Sequence, residues 1–450
     1  MFQQAKRLAL YILALLPFLS CEPDFDFQLV EDSNLENEVR EELTELLGSL
    51  DRLILPESDA YSQIPNDLRN PITAEKVALG KFLFHETELG VAAKVTEGLK
   101  TYSCASCHHA KAGFQSGMKQ GIGEGGWGFG TFGELRIANS LYPIDSIDVQ
   151  PIRSPTILNT AYQDVMLWNG QFGATGTNAG TEASWTEGTP KARNNLGFQG
   201  LEIQAIAGMG VHRLNVSPEN IDNGAYKALF DAAYPDIDID QRYSLENAGL
   251  AIAAFERTVL SNEAPFQKFL KGETGLMSDD ELKGAQLFFG KAKCMKCHSG
   301  PGLNGMEFHA LGMNDLSGND VIGQVDAGTA KGRGGFTNDS NDDYKFKTPT
   351  LYNLKDVQFL GHGGSFSTVR EVIAYKNNAI AENNLVPTER LSDQFQALGL
   401  TDEEISQLTM FIENSLYDPN LSRYVPAFTP LGTSCFPNAD EQSLLDMGCN

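Results

Sequence analysis

The stretch 103-SCASCHHAKAG-113 holds two cysteines three apart, followed at once by a histidine. Taken alone it reads as a zinc knuckle, a dithiol redox site or a haem anchor. The rest of the chain narrows the choice. A second unit of the same form, 294-CMKCH-298, lies 190 residues further on. A four-cysteine zinc site would have to join two distant pairs and would not ask for a histidine beside each. A thioredoxin-like site needs a βαβ setting, and no such pattern surrounds either unit. C-x-x-C-H is the c-type haem attachment unit. Its thiols add to the haem vinyl groups and its histidine ligates the iron. The sequence therefore predicts two covalently bound haem c groups, on Cys104 and Cys107 and on Cys294 and Cys297. His108 and His298 are the expected proximal iron ligands.

The N-terminus places the chain outside the cytoplasm. Lys6 and Arg7 precede an apolar run, LALYILALLPFLS, that stops at Cys21. That is the n-region and h-region of a secretory signal. The run is too short, and too soon followed by Pro23 and acids, for a membrane span. Its end, 18-FLSC-21, resembles a bacterial lipobox, which predicts cleavage before Cys21 and lipidation of that sulfur. A plain secretory signal is the alternative. Either way the protein is exported, to a periplasm or cell surface; under the lipobox reading a lipid anchor is its only hold on a membrane. Loss of the leader, with its two cations, deepens the net charge from −25 to −27. Such a chain repels nucleic acid and attracts a basic protein partner. Cys435 and Cys449 remain, and in an oxidising compartment they are expected to pair.

The two C-x-x-C-H units sit in matching surroundings. 80-GKFLF-84 precedes the first and 284-GAQLFF-289 the second. 154-SPTILN-159 follows the first and 348-TPTLYN-353 the second. Thirteen residues beyond each motif proline stands a glycine-aromatic turn, 168-WNGQF-172 and 362-HGGSF-366. This reads as two copies of one domain. The predicted organisation is a signal peptide over 1–20, an acidic tether and leading helix over 21–55, and a first haem domain over 56–240. A second haem domain follows over 241–425, then a disulfide-bearing tail over 426–450. Ile252, Phe255 and Val259 share one helical face. Ser278 with Glu281, and Thr401 with Glu404, form capping boxes. No alternating apolar run suggests an extended sheet, so the fold class is all-α. Residues 113–133 hold nine glycines and form a loop beside the first haem site.

These motifs, with 168-WNG-170, 202-EIQA-205 and 251-AIAAFERTVLS-261, resemble the bacterial dihaem cytochrome c peroxidase family, including its MauG-like branch. The resemblance runs in family order over roughly residues 65–420. It implies two facing domains of the class I cytochrome c type. The first haem would be peroxidatic and the second would receive electrons from a soluble donor.

The resemblance also implies roles for single residues. Glu124, in 121-GIGEGGW-127, stands where the peroxidases carry a distal histidine; it would ligate the first haem, gate it or leave it open. Gln204 matches the distal glutamine. The family's catalytic glutamate is missing from 207-AGMGVHRLN-215, which leaves His212 as base and Arg213 as polarising group. Trp168 matches the tryptophan between the haems. For the sixth ligand of the second haem, Tyr375 is the first candidate, with Met306 and Met313 as alternatives. Lys376 occupies the expected offset of fourteen residues beyond His362, the turn histidine that lies near haem. His109 is read as a surface or hydrogen-bonding group. The stretches matching the family's calcium site, around Arg153 and 357-VQFLGH-362, lack the expected residues, so calcium is not claimed.

The implied function is reduction of hydrogen peroxide to water with electrons from a small basic cytochrome c or cupredoxin. A MauG-like oxidase of another molecule and a non-catalytic dihaem electron carrier are the alternatives. The sequence leaves a homodimer open.

Overall fold

In the computed structural model, residues 34–216, 221, 224–432 and 434–449 are described. The leader, Cys21 and the start of the acidic tether lie outside them. The helices that build the sites are α1 (Asn34–Leu47), α2 (Ala74–His85), α3 (Gly200–Val211), α4 (Leu245–Arg257), α5 (Asp279–Phe289), α6 (Val369–Asn378), α7 (Asp402–Met410) and α8 (Glu441–Asp446). Long irregular segments and short 3₁₀ turns join them. Among the described residues, sheet is confined to two antiparallel ribbons: β1 (Gly126–Trp127) pairs with β2 (Ile137–Ala138), and β3 (Phe308–His309) with β4 (Phe346–Lys347).

Local chemistry starts these helices. The Thr73 hydroxyl accepts from the Lys76 N–H at α2, and Ser244 from Asn247 at α4. Both predicted capping boxes are present, Ser278 with Glu281 at α5 and Thr401 with Glu404 at α7. Each satisfies backbone donors that a helix start leaves unpaired.

Two helix crossings dominate the packing, and glycine permits both. Where α2 meets α4, a Cβ on Gly80 would lie 1.9 Å from the Ala251 carbonyl oxygen. Where α5 meets α7, a Cβ on Gly284 would lie 2.2 Å from that of Gln407. The first core gathers Leu79, Leu83 and Phe84 of α2 with Ile203 and Ile206 of α3 and Ile252 and Phe255 of α4. The second gathers Val39 and Leu43 of α1 with Leu282 and Phe288 of α5 and Leu408 of α7.

The cores do not respect the sequence boundaries. A domain boundary after residue 240 assigns α4 to the second half, yet α4 is buried against α2 and α3. The Arg257 guanidinium ties it there, gripping both oxygens of Glu202 at 2.7 and 2.8 Å with both side chains fully buried. The leading helix lays Val39 and Leu43 into the second core. Leu421 and Tyr424 return to the first core.

Candidate active site

Both C-x-x-C-H units fold into the same tight turn. The His108 N–H donates to the Cys104 carbonyl at 3.2 Å, and the His298 N–H to that of Cys294 at 2.9 Å. At the first turn, the Ser106 hydroxyl also accepts the Ser103 N–H. Each histidine then spends its Nδ1–H on the backbone. His298 donates to the carbonyls of Leu303 and Pro349, both at 3.1 Å. His108 donates to that of Phe114 at 3.4 Å, and Pro155 supports the same ring. Burial pushes both imidazoles down to about 4, so the neutral form dominates. A neutral ring with Nδ1 spent on a carbonyl keeps the Nε2 lone pair for a metal.

None of the four cysteines is in a disulfide. Burial pushes Cys107 and Cys294 up to about 12 and raises Cys104 and Cys297 as well. Zinc binds thiolates, and among the described residues no group of three or more His, Cys, Asp or Glu stands ready to hold a metal ion. The donor set fits haem c instead: a thiol pair, a neutral histidine, and at the second site a cavity of about 510 Å³ walled by Leu360, Phe346 and Trp168.

The two sites differ in what surrounds the histidine. At the first, α3 ends as a Schellman turn, with the Leu214 N–H bonded to the Met209 carbonyl at 2.8 Å and Arg213 left-handed at φ 58°. That ending sets His212 at the helix terminus, where its Nδ1 meets Asp148 Oδ2 at 2.8 Å. Burial works against the charge on both groups, but each outweighs it for the other. The His212 pKa is raised and that of Asp148 lowered. The His212 ring also lies near enough to His108 to lower its proton affinity. Gln204 sits on the same helix, and its amide leans over Gly208, 3.4 Å from where a Cβ would stand there.

Glu124 is fully buried. One oxygen accepts from the Arg213 guanidinium and the other from the Val95 N–H at 3.0 Å. Arg213 also donates to the Ser146 carbonyl at 2.7 Å. The expectation that Glu124 ligates or gates an iron, and that Arg213 polarises an oxygen, therefore meets a different geometry: the two neutralise each other. Asp148 is not legible as a partner in the sequence, because it stands 64 residues before His212 in an ordinary loop.

The glycine loop closes this site. A Cβ on Gly121 would lie 3.0 Å from Cys107 Sγ. Arg136 holds the loop, donating to the carbonyls of Ile122 and Gly123. It is itself paired with Asp440 of the C-terminal tail at 3.2 Å, both side chains buried. Asp446 of α8 accepts the N–H groups of Phe129 and Gly130. The tail is closed by the Cys435–Cys449 disulfide. His109, expected as a surface or hydrogen-bonding group, is buried edge-on against Phe129, their ring centres 5.0 Å apart.

At the second site the candidates separate. Lys376, Met313 and His362 line the cavity. Tyr375 does not: its hydroxyl donates to the Leu311 carbonyl at 2.6 Å and its ring packs between Phe366 and Phe395. This corrects the sequence preference, since consecutive helical residues point about 100° apart and only one of the pair can face the cavity. Met306 is not among the lining residues either. Trp168 lines the second cavity, donates its indole N–H to the Arg153 carbonyl at 2.9 Å and meets His362 edge-on at 6.3 Å. The Arg153 guanidinium gathers the carbonyls of Ser116, Met118 and Lys119.

Residues 74–275 match the sequence profile of the family described as Di-haem cytochrome c peroxidase. The chain is 30% identical over 371 residues to cytochrome-c peroxidase IdrP1 of Denitromonas iodatirespirans, covering 78% of this chain and 84% of that protein. It is 26% identical over 358 residues to methylamine utilization protein MauG of Methylorubrum extorquens, covering 79% and 82%. Among solved structures, a MauG-like protein associated with microbial copper homeostasis superposes with a TM-score of 0.53 at 23% identity, over 82% of this chain and 95% of that one. That likeness concerns the fold.

Proposed function

The chain belongs to the di-haem cytochrome c peroxidase family, and from that premise we propose that it reduces hydrogen peroxide to water at the site built around His108. It is an oxidoreductase of the cytochrome c peroxidase type, and haem c is the cofactor of its family. Cys104, Cys107 and His108 would hold one haem, and Cys294, Cys297 and His298 the other. When bound, these groups supply redox-active iron for the two-electron reduction of peroxide.

The Asp148–His212 dyad carries the reading. Peroxide reduction consumes two protons and two electrons and yields two waters. A group must take a proton from one peroxide oxygen and deliver protons to the leaving oxygen. Asp148 fixes Nδ1 of His212, so Nε2 is the atom left to exchange that proton. Gln204 offers an uncharged amide to orient bound peroxide. Glu124 and Arg213 act as positioning residues, because their ion pair anchors the end of α3 that presents His212. Trp168, in contact with His362 and Arg153, is the proposed relay between the sites.

The two sites are proposed as copies of one unit. Asn159 and Asn353, which end the matching motifs, are both left-handed, at φ 57° and 58°. Their N–H groups reach the Val259 and Leu416 carbonyls, just beyond α4 and within the turn that follows α7. The Thr156 hydroxyl donates to Gly113 and that of Thr350 to Gly302. The Met166–Phe172 and Leu360–Phe366 bridges match as well. The units are better bounded by their cores than at residue 240, with α4 in the first. Export, lipidation at Cys21, and a basic cytochrome or cupredoxin donor complete the proposal, the last resting on a net charge of −25. Among the described residues no helix is long and apolar enough to cross a membrane.

The test is stepwise reduction of the matured dihaem protein while peroxide-dependent oxidation of a reduced small cytochrome or cupredoxin is followed. Turnover is the expected result. Its absence with every donor, beside a long-lived oxidised spectrum after peroxide, would move the assignment to a MauG-like oxidase. No spectral response would leave the electron carrier.

A further inference from the structure

Among the described residues, Lys376 faces the second cavity without an acid to meet it. It stands in the last turn of α6 and lines the same cavity as Cys294, Cys297 and His298. Its Nζ sits over the Phe395 ring, 5.2 Å from the ring centre. It is electrostatically coupled to the thiols of Cys294 and Cys297 and to the rings of His298 and His309, with no carboxylate among them. A half-buried ammonium facing apolar walls is costly unless its nitrogen finds a partner.

Apart from His298, the two histidines that line the cavity each have one ring nitrogen engaged. His362 is stacked on Phe346 at 3.7 Å and reaches Asp315 with Nε2 at 3.3 Å. His309 holds Ser392 through Nδ1 at 3.0 Å and has Glu307 3.3 Å from Nε2. Met313 packs on Gly361, its sulfur 3.3 Å from where a Cβ would stand. A haem propionate is the natural alternative partner for a lysine. Propionates, however, lie on the porphyrin edge away from the vinyl positions, and Lys376 is coupled to the two cysteines that would occupy the vinyl edge.

We propose that Lys376 Nζ is the second protein ligand of the iron whose first ligand is His298. This rests on the reading that Cys294 and Cys297 carry a haem. A primary amine is a harder donor than a thioether, and methionine ligation raises a haem potential. The second haem should therefore lie lower in potential than a methionine-ligated haem in the same pocket.

The experiment uses the matured dihaem protein and its K376A, K376R and K376M variants. Ferric electron paramagnetic resonance, the near-infrared thioether charge-transfer band and the midpoint potential are recorded. K376A should convert the second haem's low-spin signal to high-spin or to a different low-spin signal. K376R should do the same, because arginine keeps the charge but cannot lose its proton to bind iron. K376M should gain the thioether band and move the midpoint upward. Should K376A disturb folding, K376R and K376M carry the test alone. An unchanged signal in K376R overturns the proposal in favour of a purely electrostatic lysine. A thioether band already present in the parent, removed by M313L, overturns it in favour of Met313. Mass measurement of the C104S/C107S double variant separates the premise: without one remaining attached haem, the haem reading fails first.

Discussion

His108 and His298 close the same backbone turn and differ in what faces the ring. Both histidines give Nδ1 to a carbonyl, and a helix crossing without a Cβ supports each. Around the first ring stand charged groups satisfied in pairs, Asp148 with His212 and Glu124 with Arg213. Around the second stands an apolar cavity edged by Trp168, Phe346 and Met313. Paired charges can hold and move protons. An apolar wall excludes water and leaves the metal's own ligands to set its potential. Under the proposed function, one scaffold thus serves proton-coupled chemistry at one end and electron delivery at the other.

Removing one thiol pair at a time should break the comparison most sharply. C104S/C107S and C294S/C297S should each retain one covalent haem of the two, read by mass and by haem absorbance. Equal loss of both haems in either variant would mean that the sites do not mature independently. Next in size, H212A should lower kcat/KM for peroxide by about 10²–10⁴-fold, the usual worth of a positioned proton-transfer group. The second haem's spectrum should stay unchanged, and a loss below about tenfold would remove His212 from the mechanism.

The Glu124–Arg213 pair can be opened without disturbing the backbone. R213G suits the left-handed φ at that position but strands a fully buried carboxylate. Breaking such a pair costs about 3–5 kcal/mol, and relief of the left-handed residue returns about 1–2 kcal/mol. Denaturant unfolding should show a net loss of stability, while R213K should recover part of it.

Gly80→Ala and Gly284→Ala test the two helix crossings. Each places a methyl group against a backbone carbonyl, and overpacking of this kind costs about 1–3 kcal/mol. The two losses should be alike. A tolerated change at one crossing only would show that the halves pack by different rules.

The smallest effect is in pH. His212 must be neutral to accept a proton, and Asp148 raises its pKa above the ordinary 6.5. The acid limb of kcat/KM should therefore lie above that value, and D148N should move it down. The dyad's contribution to stability has two edges. It is lost as pH falls through the lowered Asp148 value, and again as pH rises through the raised His212 value.

Short-range features are legible in the chain alone. The C-x-x-C-H units, the capping boxes at Ser278 and Thr401 and the helical character depend on residues within a turn or two of each other. The choice between Tyr375 and Lys376 is not legible there, because one residue of offset turns a helical side chain by about 100°. Nor is the tail's part, since Arg136 and Asp440 lie 304 residues apart.

The sequence by itself determined the two C-x-x-C-H units, the histidine each one offers and the recurrence of their surroundings, because such a unit is chemistry between near neighbours. Tertiary structure alone decided that Asp148 holds His212, that Glu124 is spent on Arg213, that α1 completes the second core and that the tail clasps the first site's loop. Those contacts join residues tens to hundreds of positions apart. Their partners are chosen by burial, which makes a charged group inside costly without its counterpart.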